Sequence, residues 1–191
     1  MVAPVTDWYG RRASWWVPLE AAARRRLGPT LSHQYVFEPA CYARECEILV
    51  YRIEALEVIG DPEPVDVTIR FHKLPPYDTY GLPPQDYPRV FAKPGATSKH
   101  RMPDDGALCM WMPLDPPHRR WTHHKGLLEL VELTRQHLFL ENYWRQNDGV
   151  WLLEDAPHGL PRTQGGDSTW STPKQRRAGG RPRRRRSSSS P

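Results

Sequence analysis

A cysteine, Cys109, stands in the stretch HRMPDDGALCMWM (100–112), between a turn-like Pro103-Asp104-Asp105-Gly106 and the bulky Met110, Trp111 and Met112. His100 precedes it by nine positions. A thiol in this setting has three ordinary uses: a small buried hydrophobe, a metal ligand or a nucleophile. Metal is the weakest of them. The chain has eight histidines and three cysteines, yet no pair shows the C-x-x-C or H-x3-H spacing of a structural zinc site. Cys41-x4-Cys46 is too loose for one, and His118, His123 and His124 sit among Arg119, Arg120 and Lys125, whose charges repel a cation. No metal ligand is assigned.

Nucleophilic chemistry has several forms. A cysteine protease needs a histidine base with an orienting Asn or Asp, and it usually shows a local signature around the thiol; none surrounds Cys109. Neither G-x-G-x-x-G nor G-x4-G-K-[ST] occurs, so the chain does not activate a carboxylate with a nucleotide by those routes, and no cofactor is expected. What remains is attack by the thiolate on an already activated acyl group, held as a thioester until an amine takes it. Arg101, Arg119, Arg120 and the histidines would favour the thiolate. Asp104, Asp105 and Asp115 would oppose it, or would help deprotonate an incoming amine.

The elements that must position this segment are legible on both sides. PLEAAARRRLG (18–28) predicts a helix: Pro18 suits a first turn, Ala and Arg are strong helix formers, and Gly28 follows three arginines at the C-terminal end. Trp8, Trp15 and Trp16 upstream require a surface, either the domain's flank or a partner. A β-rich run spans Glu47 to Ile59, and GDPEP (60–64) is a turn. In VDVTIRFHKLP (65–75), Val65, Val67, Ile69 and Phe71 alternate with Asp66, Thr68, Arg70 and His72. This predicts a half-buried strand with a solvated His72. The short turn makes the two strands antiparallel. RVFA (89–92) predicts a further strand inside a proline-rich stretch, and Lys93 to Arg120 has little regular pattern. Residues 124–146 predict an amphipathic helix with Leu127, Leu130, Val131 and Leu138 on one stripe. Trp144 and Trp151 are expected in the core, and an apolar segment with a Pro-Gly turn closes the domain at 149–159. Helices segregated from a strand meander mean α+β.

These residues resemble the ubiquitin-conjugating (E2) family over roughly residues 18–146. Members have an N-terminal helix, a four-stranded antiparallel meander and a Tyr-Pro before a proline-rich turn. A His-Pro-Asn follows, then Gly-x-[Ile/Leu]-Cys, a Trp and a helix. Here Tyr87-Pro88, His100, GALC (106–109), Trp121 and the helix from Lys125 stand in that order. LCMW, RRWT, His137-Leu138 and APHG (156–159) look closest to bacterial E2-like proteins of antiphage-defence operons. Among these is the short type II form of CBASS, in which an E2-like protein acts on a cGAS-like nucleotidyltransferase. The resemblance implies an E2 fold with an active-site loop between sheet and second helix. It makes Cys109 the acyl-carrying residue, with His100 as a second catalytic residue that in this family more often holds the loop than acts as a base. Trp111, Trp121 and Arg101 would bind substrate or pack beside the site. The partners implied are a cGAS-like nucleotidyltransferase or a ubiquitin-like protein, with a separate E1-like enzyme as a further expected partner. Two departures stand out. Met102 occupies the position of the family's oxyanion-donating Asn, and PLDPPH (113–118) lengthens the interval from the cysteine to Trp121.

Composition bounds the rest. The 191 residues suit one domain plus a remainder. Nine of the 27 Lys/Arg but one of the 22 Asp/Glu fall in 162–191, so that segment carries +8 and the preceding 161 residues −3. Residues 1–161 are therefore read as the conjugating domain with a Trp-rich extension, and 162–191 as a disordered Arg/Ser-rich tail. Any nucleic-acid binding would rest on that tail. The odd cysteine count and the lack of a signal peptide or a membrane-length apolar run predict free thiols, no membrane partner and a cytoplasmic location. The alternative function on the same fold is a non-catalytic interaction module.

Overall fold

The computed structural model describes residues 8–39 and 45–152. The expected tail, the 161/162 boundary, Cys41, the side chain of Cys46 and the APHG turn lie outside the described residues. The chain is α+β. Helix α1 (Ala13–Leu27) precedes strands β1 (Leu31–Pro39), β2 (Glu45–Leu56), β3 (Val65–His72) and β4 (Arg89–Ala92), and helix α2 (Gly126–Gln146) follows. The four strands form one antiparallel sheet in chain order.

Helix α1 starts a turn earlier than its composition predicts, so Pro18 lies inside it. A proline there forfeits one backbone hydrogen bond. Aromatic packing holds the turn before it. The Arg12 carbonyl accepts from the Trp15 and Trp16 N–H groups, and the Trp15 ring lies 4.7 Å from Tyr9 and 5.4 Å from Phe71. Trp8, Trp15 and Trp16 thus cover the domain's own flank. The far end is as expected, with Gly28 at φ +59° after Arg24, Arg25 and Arg26. Buried Glu20 pairs with Arg24 within α1 and ties the helix to β1 through His33, 2.8 Å away.

Strand β1 is an element that the apolar pattern did not single out. It is the edge strand opposite β4, paired from Leu31↔Ile53 to Pro39↔Glu45. Strand β2 ends at Leu56, short of the predicted Ile59. Ala55 (φ 54°) forms a bulge there and its N–H bonds the Asp66 carboxylate at 3.0 Å. Strand β3 behaves as its alternation predicts on one face: Val65, Val67, Ile69 and Phe71 are buried. They join the α2 stripe of Leu127, Leu130, Val131 and Leu138 in a single core. Helix α1 packs against α2.

The other face of β3 departs from expectation. His72 is buried, 6% exposed, with Tyr77 edge-on at 5.4 Å and its carbonyl accepting from Tyr9 Oη at 2.8 Å. Tyrosines from outside the sheet cover a face that period-two reasoning leaves wet. Burial, with Arg70 and Arg89 nearby, pushes the imidazole down to about 4. The unfolded chain therefore binds a proton below its ordinary value that the native state refuses. Stability should rise with pH between about 4 and 6.5 and be lost in acid. Urea titrations should show wild type losing about 2–3 kcal/mol more than His72→Phe between pH 7 and pH 4.5. Equal losses would mean that the buried imidazole accepts its proton in the native state.

Candidate functional site

The segment from Lys93 to Arg120 is less irregular than its sequence suggests, because residues 100–109 fold back on themselves. The Cys109 N–H donates to the His100 carbonyl at 2.9 Å, and the Met102 N–H to the Ala107 carbonyl at 2.7 Å, with Arg101 bridged to Leu108 between them. Gly106, at φ +74°, closes the turn where a side chain would be strained, and its N–H bonds the Met102 carbonyl. Asp105 caps the same turn by accepting from the Ala107 N–H. The hairpin is docked on the sheet through Leu108, whose N–H bonds the Val90 carbonyl of β4 at 2.8 Å.

Arg101 anchors the hairpin to α2. Its Nε and Nη2 donate to the two Glu141 oxygens, each at 2.9 Å, and its Nη1 donates to the Ala92 carbonyl. The side chain is buried and its guanidinium is committed to these partners. Expected beside the substrate or the thiol, Arg101 instead has its guanidinium on Glu141 and the Ala92 carbonyl. Trp121 is fully buried, its Nε1 donates to the Gly126 carbonyl at 3.0 Å, and its ring packs near Phe71 and Trp111. Of its two expected uses, substrate contact or packing, the structure shows packing in the core.

His100 supports Cys109 through its backbone carbonyl. Its ring is buried, 4.2 Å from Trp151 and 6.3 Å from His137. Trp151 and Trp144 are half-buried, not core as expected; Trp151 serves as the cover over these two histidines. Trp111 is buried beside the site, with its ring 6.3 Å from Tyr87.

Cys109 itself is 5% exposed. Burial pushes its thiol up to about 11, against a smaller opposing pull from Arg89. Two of the cations expected to favour the thiolate are engaged elsewhere, Arg101 with Glu141 and Arg120 with the carbonyls of Asp115 and Trp121, while Arg119 is exposed. The cation that does act on the thiol, Arg89, is buried at the start of β4. It lies over the Tyr77 ring at 3.8 Å and pairs with Asp104 and Asp105 at 3.2 and 3.1 Å. Those carboxylates therefore oppose ionisation of Cys109 indirectly, by pairing with the cation that favours it. Tyr87 was read from the sequence only as part of the Tyr-Pro mark of the resemblance, Arg89 follows it into β4, and Tyr77 in the proline-rich stretch carried no signal of its own.

Among the described residues no group of three His, Cys, Asp or Glu side chains is placed to hold a metal ion, and no helix is long and apolar enough to cross a membrane. Clefts at Asp61–Asp66 with Lys93 and at Ile59 with Phe139 are lined by residues other than those around Cys109. No protein-family model, curated protein or solved structure matches this chain.

Proposed function

We propose that the chain is an E2-like acyl transferase in bacterial antiviral defence. In this reading Cys109 holds the C-terminal carboxyl group of a partner protein as a thioester and passes it to an amine. The partner would be a cGAS-like nucleotidyltransferase or a ubiquitin-like protein, with a separate E1-like enzyme as a possible donor. The observation that supports the reading is the place of Cys109. It ends a hairpin docked on β4, after an antiparallel meander in chain order and before α2, where the E2 resemblance puts the acyl-carrying cysteine. The chemistry asks little of the protein beyond a held thiol, because a thioester is already reactive.

Incubation with the products of neighbouring genes should give an adduct cleaved by reductant. Cys109→Ala should lose it entirely, and Cys109→Ser should replace it with an ester that resists reductant. An adduct that survives in Cys109→Ala refutes the reading.

A second reading, a non-catalytic interaction module on the same fold, is favoured by one observation: the thiol is nearly sealed and raised to about 11. Under it, native Cys109 stays unlabelled by thiol reagents until the protein unfolds.

A further inference from the structure

Cys109 is nearly sealed, so whatever reacts with it waits on a local opening of the hairpin that carries it. Two side chains of the first hairpin strand fasten it. One is Arg101, on Glu141 of α2. The other is His100, whose carbonyl accepts the Cys109 N–H at 2.9 Å and whose own N–H donates to Ser98 Oγ at 3.2 Å. The His100 ring is held by Trp151, with ring centroids 4.2 Å apart.

The two fastenings differ in kind. Glu141 is fully buried on a long helix. Trp151 belongs to the short segment after α2, where the chain reverses through Asp148 at φ 50° and Gly149 at φ 79°. The Gly149 N–H closes on the Trp144 carbonyl at 3.0 Å, and the Val150 N–H on the Asn147 carbonyl at 2.9 Å. A left-handed residue other than glycine carries strain, which the docking of Trp151 offsets. Beyond the reversal Val150 and Leu152 are 55% and 47% exposed, and the half-buried Trp151 between them is the side chain that docks. It meets His100, the His137 ring at 5.7 Å and Lys99 Nζ at 5.9 Å. Such ring contacts are weak beside the buried charged pair at Glu141. The strap is therefore the fastening that yields first.

We propose that Trp151 is the latch of a strap that gates Cys109. Docked on His100 and His137, it keeps the rung between His100 and Cys109 closed. Undocked, it frees the His100 ring and lets that end of the hairpin open, while the sheet, α2 and the Arg101–Glu141 pair stay folded. The latch sets how often the thiol is reached, whatever group the thiol carries, so it is tested apart from the acyl-transfer reading.

The full chain is alkylated with iodoacetamide at one pH, and Cys109 modification is followed by peptide mass mapping. Urea is added in steps below the unfolding transition. Trp151→Ala should label about tenfold faster than wild type, the factor for about 1.4 kcal/mol of lost contact. Its rate should be nearly independent of urea, because undocking one short segment exposes little surface. Trp151→Phe keeps a ring on His100 and should stay within about twofold of wild type. Should Trp151→Ala fail to fold, Gly149→Val takes its place. It leaves the indole intact, puts a β-branched residue at φ 79° and should speed labelling roughly threefold. An unchanged rate in the folded variant overturns the latch. So does a gain that climbs steeply with urea, the mark of whole-domain unfolding, and so does Trp151→Phe labelling as fast as Trp151→Ala.

Discussion

Replacing Glu141 by alanine should destabilise the protein by about 3–5 kcal/mol, the range for removing one partner of a buried ion pair. Glu141 is fully buried on α2. Its oxygens accept from Arg101 twice, from Ser98 Oγ at 2.6 Å and from Arg145 at 2.9 Å, and His137 Nε2 lies 3.6 Å away. Burial alone would raise this carboxyl. His137, Arg101 and Ser98 outweigh burial and hold it well below the ordinary carboxylate range. Alanine would leave Arg101 buried and charged with only the Ala92 carbonyl to receive it. The loss should appear in urea denaturation at pH 7. Most of it should return in the double variant Glu141→Leu with Arg101→Met, since an apolar pair has no stranded charge. A loss below about 1 kcal/mol would show that Arg101 swings to water and is not committed to α2. The same substitution bears on function. Arg101 is bridged to Leu108, next to Cys109. Freeing the hairpin from α2 should therefore speed iodoacetamide labelling of Cys109.

The contrast between Arg101 and Leu127 shows which parts of this molecule could be read from its sequence. Leu127, Leu130, Val131 and Leu138 declare their burial by local period, and so do the odd residues of β3; both faces are where the pattern puts them. The partner of Arg101 lies forty residues away on another element, and no local pattern encodes it. His72 fails for the same reason. Alternation assigns it to the wet face, but Tyr77, set in a proline-rich loop, packs edge-on against its ring. Pro18 fails in reverse: the local rule starts the helix there, and tertiary packing of Trp15 on Tyr9 and Phe71 extends it a turn earlier. At the site, the turn and the cysteine were legible because Pro, Asp and Gly mark their own backbone needs. The electrostatics were not. Charge counting near Cys109 named Arg101, Arg119, Arg120 and the histidines, whereas the cation that acts on the buried thiol is Arg89.

The pH dependence of Cys109 labelling should be steep and should continue far into alkali. With the thiol near 11, the thiolate is about one part in ten thousand at pH 7, and the alkylation rate should rise about tenfold per pH unit, a thousandfold by pH 10. Far-UV circular dichroism would confirm that the fold persists across the range. Arg89→Met should slow labelling at any fixed pH below the plateau, because it removes the cation that opposes burial. A plateau by pH 8–9 would mean an ordinary thiol, and labelling that stays negligible at pH 10 would mean a sealed one and favour the interaction module. The expected result has a consequence for acyl transfer. A thiol of high pKa attacks well once ionised, but it is a poor leaving group, so its thioester resists casual hydrolysis and yields slowly to amines. A carrier built this way holds its acyl group safely and depends on the site to release it. Under the acyl-transfer reading, the barrier is then lowered by charge received at the carbonyl oxygen and not by an acidified sulfur.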